Sequence, residues 1–170
     1  FDETAKVWDV QTGTELMTLT GHSGRVSSVV YSPDGRRIVT GSFDETAKVW
    51  DAQTGQELMT LKGHEGEVYS VVYSPDGQRI VTAGSGTSFS SPGTAKVWDA
   101  QTGQELMTLK GHERWAKAFY SADGERIVTA SGDKTAKVWD AQTGKELFTL
   151  TGHEGEVTSA FYSPDGKRIA

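Results

Sequence analysis

The sequence predicts an all-β protein built from one unit repeated four times. Gly-His recurs at Gly21-His22, Gly63-His64, Gly111-His112 and Gly152-His153, and Trp-Asp at Trp8-Asp9, Trp50-Asp51, Trp98-Asp99 and Trp139-Asp140; both series advance by 42, 48 and 41 residues. Equal steps of that size are the mark of a repeat architecture. Between the marks, short β-branched and aromatic stretches alternate with turn residues roughly every 8–12 residues, and no 3.6-residue periodicity appears.

The second whole copy serves to read the unit in order. Glu67–Tyr73 (EVYSVVY) is a strand, followed by Ser74-Pro75-Asp76-Gly77, where proline presets φ for a turn and glycine accepts positive φ. Arg79–Thr82 is the second strand. Thr94–Asp99 (TAKVWD) is the third, with alanine and valine inward and lysine and tryptophan on the other face; Gln101–Gly103 turns the chain into the fourth, Glu105–Lys110. One such four-stranded sheet cannot bury both faces alone and must stack on its neighbours. The boundaries expected are third and fourth strands over 1–20, whole units over 21–62, 63–110 and 111–151, and first and second strands over 152–170. The segment Thr46–His64 returns letter for letter at Thr94–His112, so the copies are recent duplications or deliberate constructions.

Composition narrows the function classes. Of 170 residues, 35% are hydrophobic and 20 are glycine, which fits a globular chain rather than a disordered tail. The net charge of −6 gives no face-wide cationic field, so neither nucleic acid nor a membrane surface is expected as a partner. With no cysteine there is no disulfide framework, thiolate metal site or cysteine nucleophile, which fits a reducing compartment and gives the expectation of a cytoplasmic protein. No run approaches the length of a membrane span, and no signal segment is visible at the start.

Gly-His, Ser-Pro-Asp-Gly, Thr-Gly-Ser-Phe-Asp-Glu-Thr and Val-Trp-Asp, in this order and spacing, resemble WD40 repeats over the whole chain. The resemblance implies a β-propeller of radial four-stranded blades and a non-enzymatic protein-interaction platform. It also implies a structural tetrad in each blade, a hydrogen-bonded chain of Trp, Thr, His and Asp. Trp50, Thr40, His22 and Asp44 fill it in the first whole blade, and Trp139, Thr129, His112 and Asp133 in the third. The second has Trp98, Thr82 and His64, but the insert 83–93 (AGSGTSFSSPG) holds no Asp, so His64 is either unpaired or served by a serine or water, and that blade is expected to be the weakest. In the third blade GHERWAKAFYSADG is one residue short. Trp115 then falls where Val26, Val68 and Val157 stand, and must rearrange the inner layer or project outward; Ala122 replaces the turn proline.

Other chemistries are weaker readings. A Thr, His and Asp in reach of one another suggest a hydrolytic triad, but a catalytic site has no reason to recur in every sheet. One histidine per blade does not converge on a metal, and no cofactor is expected. The glycine-rich insert lacks the Gly-Lys-Ser/Thr end of a phosphate-binding loop.

Two variable patches remain. One flanks the start of the first strand, at Arg25 and Ser27, Glu67 and Tyr69, Arg114 and Lys117, Glu156 and Thr158; Trp115 lies beside it. The other is the turn between second and third strands, with Phe1, Phe43, Phe89 and Gly132. The resemblance puts both on the top face, the usual partner surface, where a protein or peptide is expected; simple drift of exposed positions is the alternative. The chain starts with third and fourth strands and stops at first and second ones. It is therefore expected to close a two-fold ring of eight blades as a homodimer, Asp2 and Trp8 of one chain joining His153 of the other. A propeller fragment or engineered array whose property is self-assembly, with no ligand of its own, is the alternative.

Overall fold

The computed structural model describes residues 2–88 and 91–170. A hairpin, β1 (Ala5–Trp8) and β2 (Glu15–Leu19), precedes three four-stranded antiparallel sheets. These are β3 (Val26–Tyr31), β4 (Arg37–Ser42), β5 (Thr46–Asp51) and β6 (Glu57–Lys62); β7 (Val68–Tyr73), β8 (Arg79–Gly84), β9 (Thr94–Asp99) and β10 (Glu105–Lys110); and β11 (Ala116–Tyr120), β12 (Arg126–Ser131), β13 (Ala136–Asp140) and β14 (Glu146–Leu150). Within each sheet the strands pair in chain order.

Turn chemistry accounts for the meanders. Ser32 and Arg37 close the Pro-Asp-Gly turn (amide to carbonyl 2.8 Å), Asp34 accepts from the Ser32 hydroxyl and the Arg36 amide, and Gly35 takes φ +70. Ala122 leaves the corresponding turn intact, with Gly124 N–H on the Ser121 carbonyl at 3.0 Å, so proline is dispensable there. The Asp of each Trp-Asp pair shapes the next turn. Asp51 accepts from the Gln53 and Thr54 amides and the Thr54 hydroxyl, and Gly55 turns at φ +72.

The cores lie between sheets rather than within them. Val39, Val49 and Leu61 pack on Val68, Val71, Ile80 and Trp98 of the next sheet, and Val81, Val97 and Leu109 pack on Ala118, Ile127 and Trp139 of the one after. Ala5 and Leu19 of the hairpin meet Ile38 and Trp50. At one junction the approach is so close that a Cβ on Gly41 would stand 2.8 Å from Val71; Ala83 and Ala130 hold the equivalent places elsewhere. Two arginines bolt neighbours together, Arg37 Nη1 donating to the Ala100 carbonyl and Arg79 Nη1 to Ala141, both at 2.6 Å.

The tail carries the pairing of a first and second strand in part. Over 152–170 the first and second strands of a unit are expected, but among the described residues there is only an isolated bridge, Tyr162 to Ile169, beside a Ser163-Arg168 turn and a reciprocal amide pair between Phe161 and Ala170. Tyr162–Ile169 is the pair that Tyr31–Ile38 makes in a whole blade's first ladder.

Candidate functional site

At the rim where the first strands begin, a chain of buried hydrogen bonds threads each sheet. In β3–β6 the Trp50 indole N–H donates to Thr40 Oγ1 (2.9 Å), Thr40 meets His22 Nε2 (2.7 Å), and Nδ1 meets Asp44 Oδ2 (2.7 Å). Asp44 also accepts from the Ser23 amide and from the Thr46 amide and hydroxyl. The third sheet repeats this with Trp139, Thr129, His112 and Asp133 at 2.9, 2.7 and 2.7 Å, and with Glu113 and Thr135 in the accessory places. These two threonines, Thr46 and Thr135, were not among the residues the sequence picked out, although both sit two positions past the aspartate in Asp-Glu-Thr and Asp-Lys-Thr.

Electrostatics follow from this wiring. Burial pushes the Asp133 carboxyl up, but the hydrogen bonds from Thr135, His112 and the Glu113 amide outweigh it and bring it down to about 2; Asp44 is held low in the same way. Burial pushes His112 down, partly opposed by Asp133.

The second sheet keeps half the chain. Trp98 Nε1 donates to Thr82 (2.8 Å) and Thr82 meets His64 Nε2 (2.7 Å), yet His64 Nδ1 is buried with no hydrogen-bond partner among the described residues. Among the described residues no serine serves it. Burial, with Lys96 nearby, drives His64 down to about 4. Asp2 binds Thr4 within the hairpin and Trp8 is 54% exposed, while His153 is exposed at the other end of the row of sheets.

The variable residues form a line of ring contacts across the same rim. The Arg25 guanidinium lies 5.2 Å from the Phe43 ring, Phe43 meets Tyr69 edge-on at 5.5 Å, and Tyr69 meets Trp115 edge-on at 6.1 Å. The Tyr69 hydroxyl donates to Glu67 (2.6 Å), while Arg114 donates to Glu156 (3.0 Å) and to the Gly132 carbonyl (3.3 Å). Ser27 donates to the carbonyls of Gly41 and of Val68 in the next sheet, Lys117 is partly buried, and Thr158 is exposed. Phe1 and Phe89 lie outside the described residues.

Trp115 does not stand where the valines stand. The Gly132 amide donates to the Trp115 carbonyl as Phe43 does to Arg25, and Ala116 pairs with Ser131 as Val26 does with Ser42, so Trp115 occupies the Arg25 station. The residue missing from this blade is a β-bulge. β3 and β7 shift register after Val26 and Val68, at Ser27 and Tyr69, whereas β11 runs in unbroken register with β12. Trp115 neither projects outward nor displaces the inner layer; it is 6% exposed and lies over Gly132.

The family described as WD domain, G-beta repeat matches this chain at residues 13–51, 55–99, 103–140 and 144–170. The chain belongs to the WD40 repeat family. Coronin-7 of Mus musculus is 42% identical over 40 residues, 24% of this chain and 4% of that protein. Ribosome assembly protein 4 of Chaetomium thermophilum is 51% identical over 35 residues, 21% of this chain and 7% of that protein. The chain thus matches only a small part of the length of either relative. WD40 repeats generally mediate protein interactions, and the blade-like antiparallel sheets seen here fit a β-propeller.

Proposed function

We propose that the chain is a non-enzymatic interaction scaffold that binds a protein or peptide on the rim carrying Arg25, Ser27, Phe43, Glu67, Tyr69, Arg114, Trp115, Lys117, Glu156 and Thr158. The observation that carries this reading is the row Arg25, Phe43, Tyr69 and Trp115, which spans three sheets at an edge where the copies differ. Aromatic and arginine side chains supply most interface energy, and charges of both signs beside them suit a mixed-charge peptide. Membership of an interaction family supports the same reading. The net charge of −6 and the lack of cysteine favour a cytoplasmic setting and a partner other than nucleic acid or membrane.

A peptide library panned against the chain tests it. Ligands selected on the wild type should lose about tenfold in affinity for a Phe43→Ala, Tyr69→Ala protein of unchanged fold. Because those rings also link sheets, the exposed Arg25→Ala variant provides a second measurement. Retained affinity in both puts the interface on another face.

Self-assembly is a second reading, favoured by the edge of β1, which has a partner strand on one side only among the described residues, and by the strandless first-and-second-strand segment at the far end. Pairing of the two between copies would close an eight-bladed ring and bring Asp2 and Trp8 to His153. A native mass of one chain, 18.4 kDa, at micromolar concentration excludes it.

A further inference from the structure

We propose that the second whole sheet holds a carboxylate-binding site formed by His64 Nδ1–H, the Glu65 amide and the Thr94 hydroxyl. In the sheets on either side, the corresponding three donors hold a carboxylate of the chain itself: His22, the Ser23 amide and Thr46 on Asp44, and His112, the Glu113 amide and Thr135 on Asp133. The second sheet holds its histidine in the same pose through Thr82 and Trp98. A carboxylate facing Nδ1 selects the tautomer of the flanking sheets, in which the Thr82 hydroxyl donates to His64 Nε2 and the imidazole's own proton stands on Nδ1. That buried N–H has no acceptor among the described residues.

Glycine is the reason. The Ser85 amide donates to the Glu67 carbonyl (3.0 Å) as Phe43 does to Arg25 (2.9 Å), which sets Gly86 at the Asp44 station. The chain cannot furnish a side chain there, because a Cβ on Gly86 would stand 2.7 Å from the Pro92 carbonyl oxygen and 2.8 Å from Ser91 Cβ. Alongside runs a cleft of about 570 Å³ whose lining includes Glu65, Ser85, Gly86, Gly93, Thr94 and Lys110. An acceptor enters from this side, shifting Ser91 and Pro92; Lys110 and the Lys96–Glu105 pair lie in the wall, and the Glu65 carboxylate sets the charge an incoming anion must overcome. The shared chemistry is a carboxylate, from a free small acid or from the C-terminus of a peptide.

Sodium acetate titrated against sodium chloride at equal ionic strength and neutral pH, followed by nitrogen and amide NMR on the intact chain, tests the site. The His64 Nδ1 and Glu65 amide signals are expected to move saturably. The movement should vanish in a variant whose residues 84–93 are replaced by Ser-Phe-Asp-Glu, which supplies an internal carboxylate. Thr94→Val, which deletes one donor at the edge of β9, should weaken acetate about tenfold. Acetylated triglycine with a free or an amidated C-terminus separates the sources. Tighter binding than acetate, lost on amidation, assigns a chain terminus, and equal or weaker binding assigns a small acid. No saturable response in the wild type, an equal response in the grafted chain, or unchanged affinity in Thr94→Val overturns the proposal.

Discussion

Trp115 lies across Gly132 so closely that a Cβ on the glycine would stand 2.4 Å from the indole Nε1. Two sheets away the same turn carries the reverse arrangement, with Phe43 on the turn and Arg25 over it. The space above this turn is filled once in each case, from opposite sides.

Gly132→Ala should therefore destabilise the chain by about 1–3 kcal/mol through overpacking. Trp115→Val alone should also destabilise, and the double variant should lose less than the sum, because the second change relieves the first. Urea unfolding of the four proteins measures this. Simple additivity would mean that the two residues do not share the space.

Asp133→Ala and Trp139→Phe should each lower stability by about 1–3 kcal/mol, again non-additively, since both act through Thr129 and His112. Wild-type melting in either variant would contradict a structural role for the network.

Acid should weaken the second sheet first. His64 titrates at about 4 in the fold against 6.5 when unfolded, so its contribution is complete above 6.5 and is lost as the pH falls toward 4. The loss is at most about 3 kcal/mol. In the third sheet His112 is also held below 6.5 by burial but Asp133 opposes the shift, and Asp133 itself, depressed to about 2, contributes above its ordinary value of 3.8 and is lost only as the pH falls through about 2. Amide exchange measured per residue in a carboxylate-free buffer should show β7–β10 opening before β11–β14 below pH 6.5. Simultaneous opening would refute the order.

Removing one bolt tests the coupling between neighbours. Arg79→Ala deletes the 2.6 Å bond to the Ala141 carbonyl, and about 1–2 kcal/mol should be lost. An unchanged urea midpoint would show that the packed faces suffice.

Most of this architecture is legible in the sequence, because turn residues and alternating apolar positions declare themselves locally. Gly35, Gly55 and the Trp-Asp aspartates sit where their conformations or lone pairs are needed. The Trp-Thr-His-Asp order is readable for the same reason, each residue type being fitted to its neighbour's donor or acceptor. The position of Trp115 is not. A bulge is a backbone feature that Ser27 fills in one blade and Tyr69 in another, so counting from His112 reveals a missing residue without saying which. The arginine bolts are not legible either, since their acceptors are carbonyls about sixty residues away, with no side-chain signature.

Because the cores between the three whole sheets are each shared by two neighbours, stability resides in junctions, and the array is the protein counterpart of a line of coupled spins. Adding one unit adds one junction of a kind already present and asks for no new complementarity. A duplication of whole units is therefore structurally silent when it arises, and selection on packing gives no reason for the copies to diverge. The letter-for-letter identity of Thr46–His64 and Thr94–His112 is what such a growth rule leaves behind.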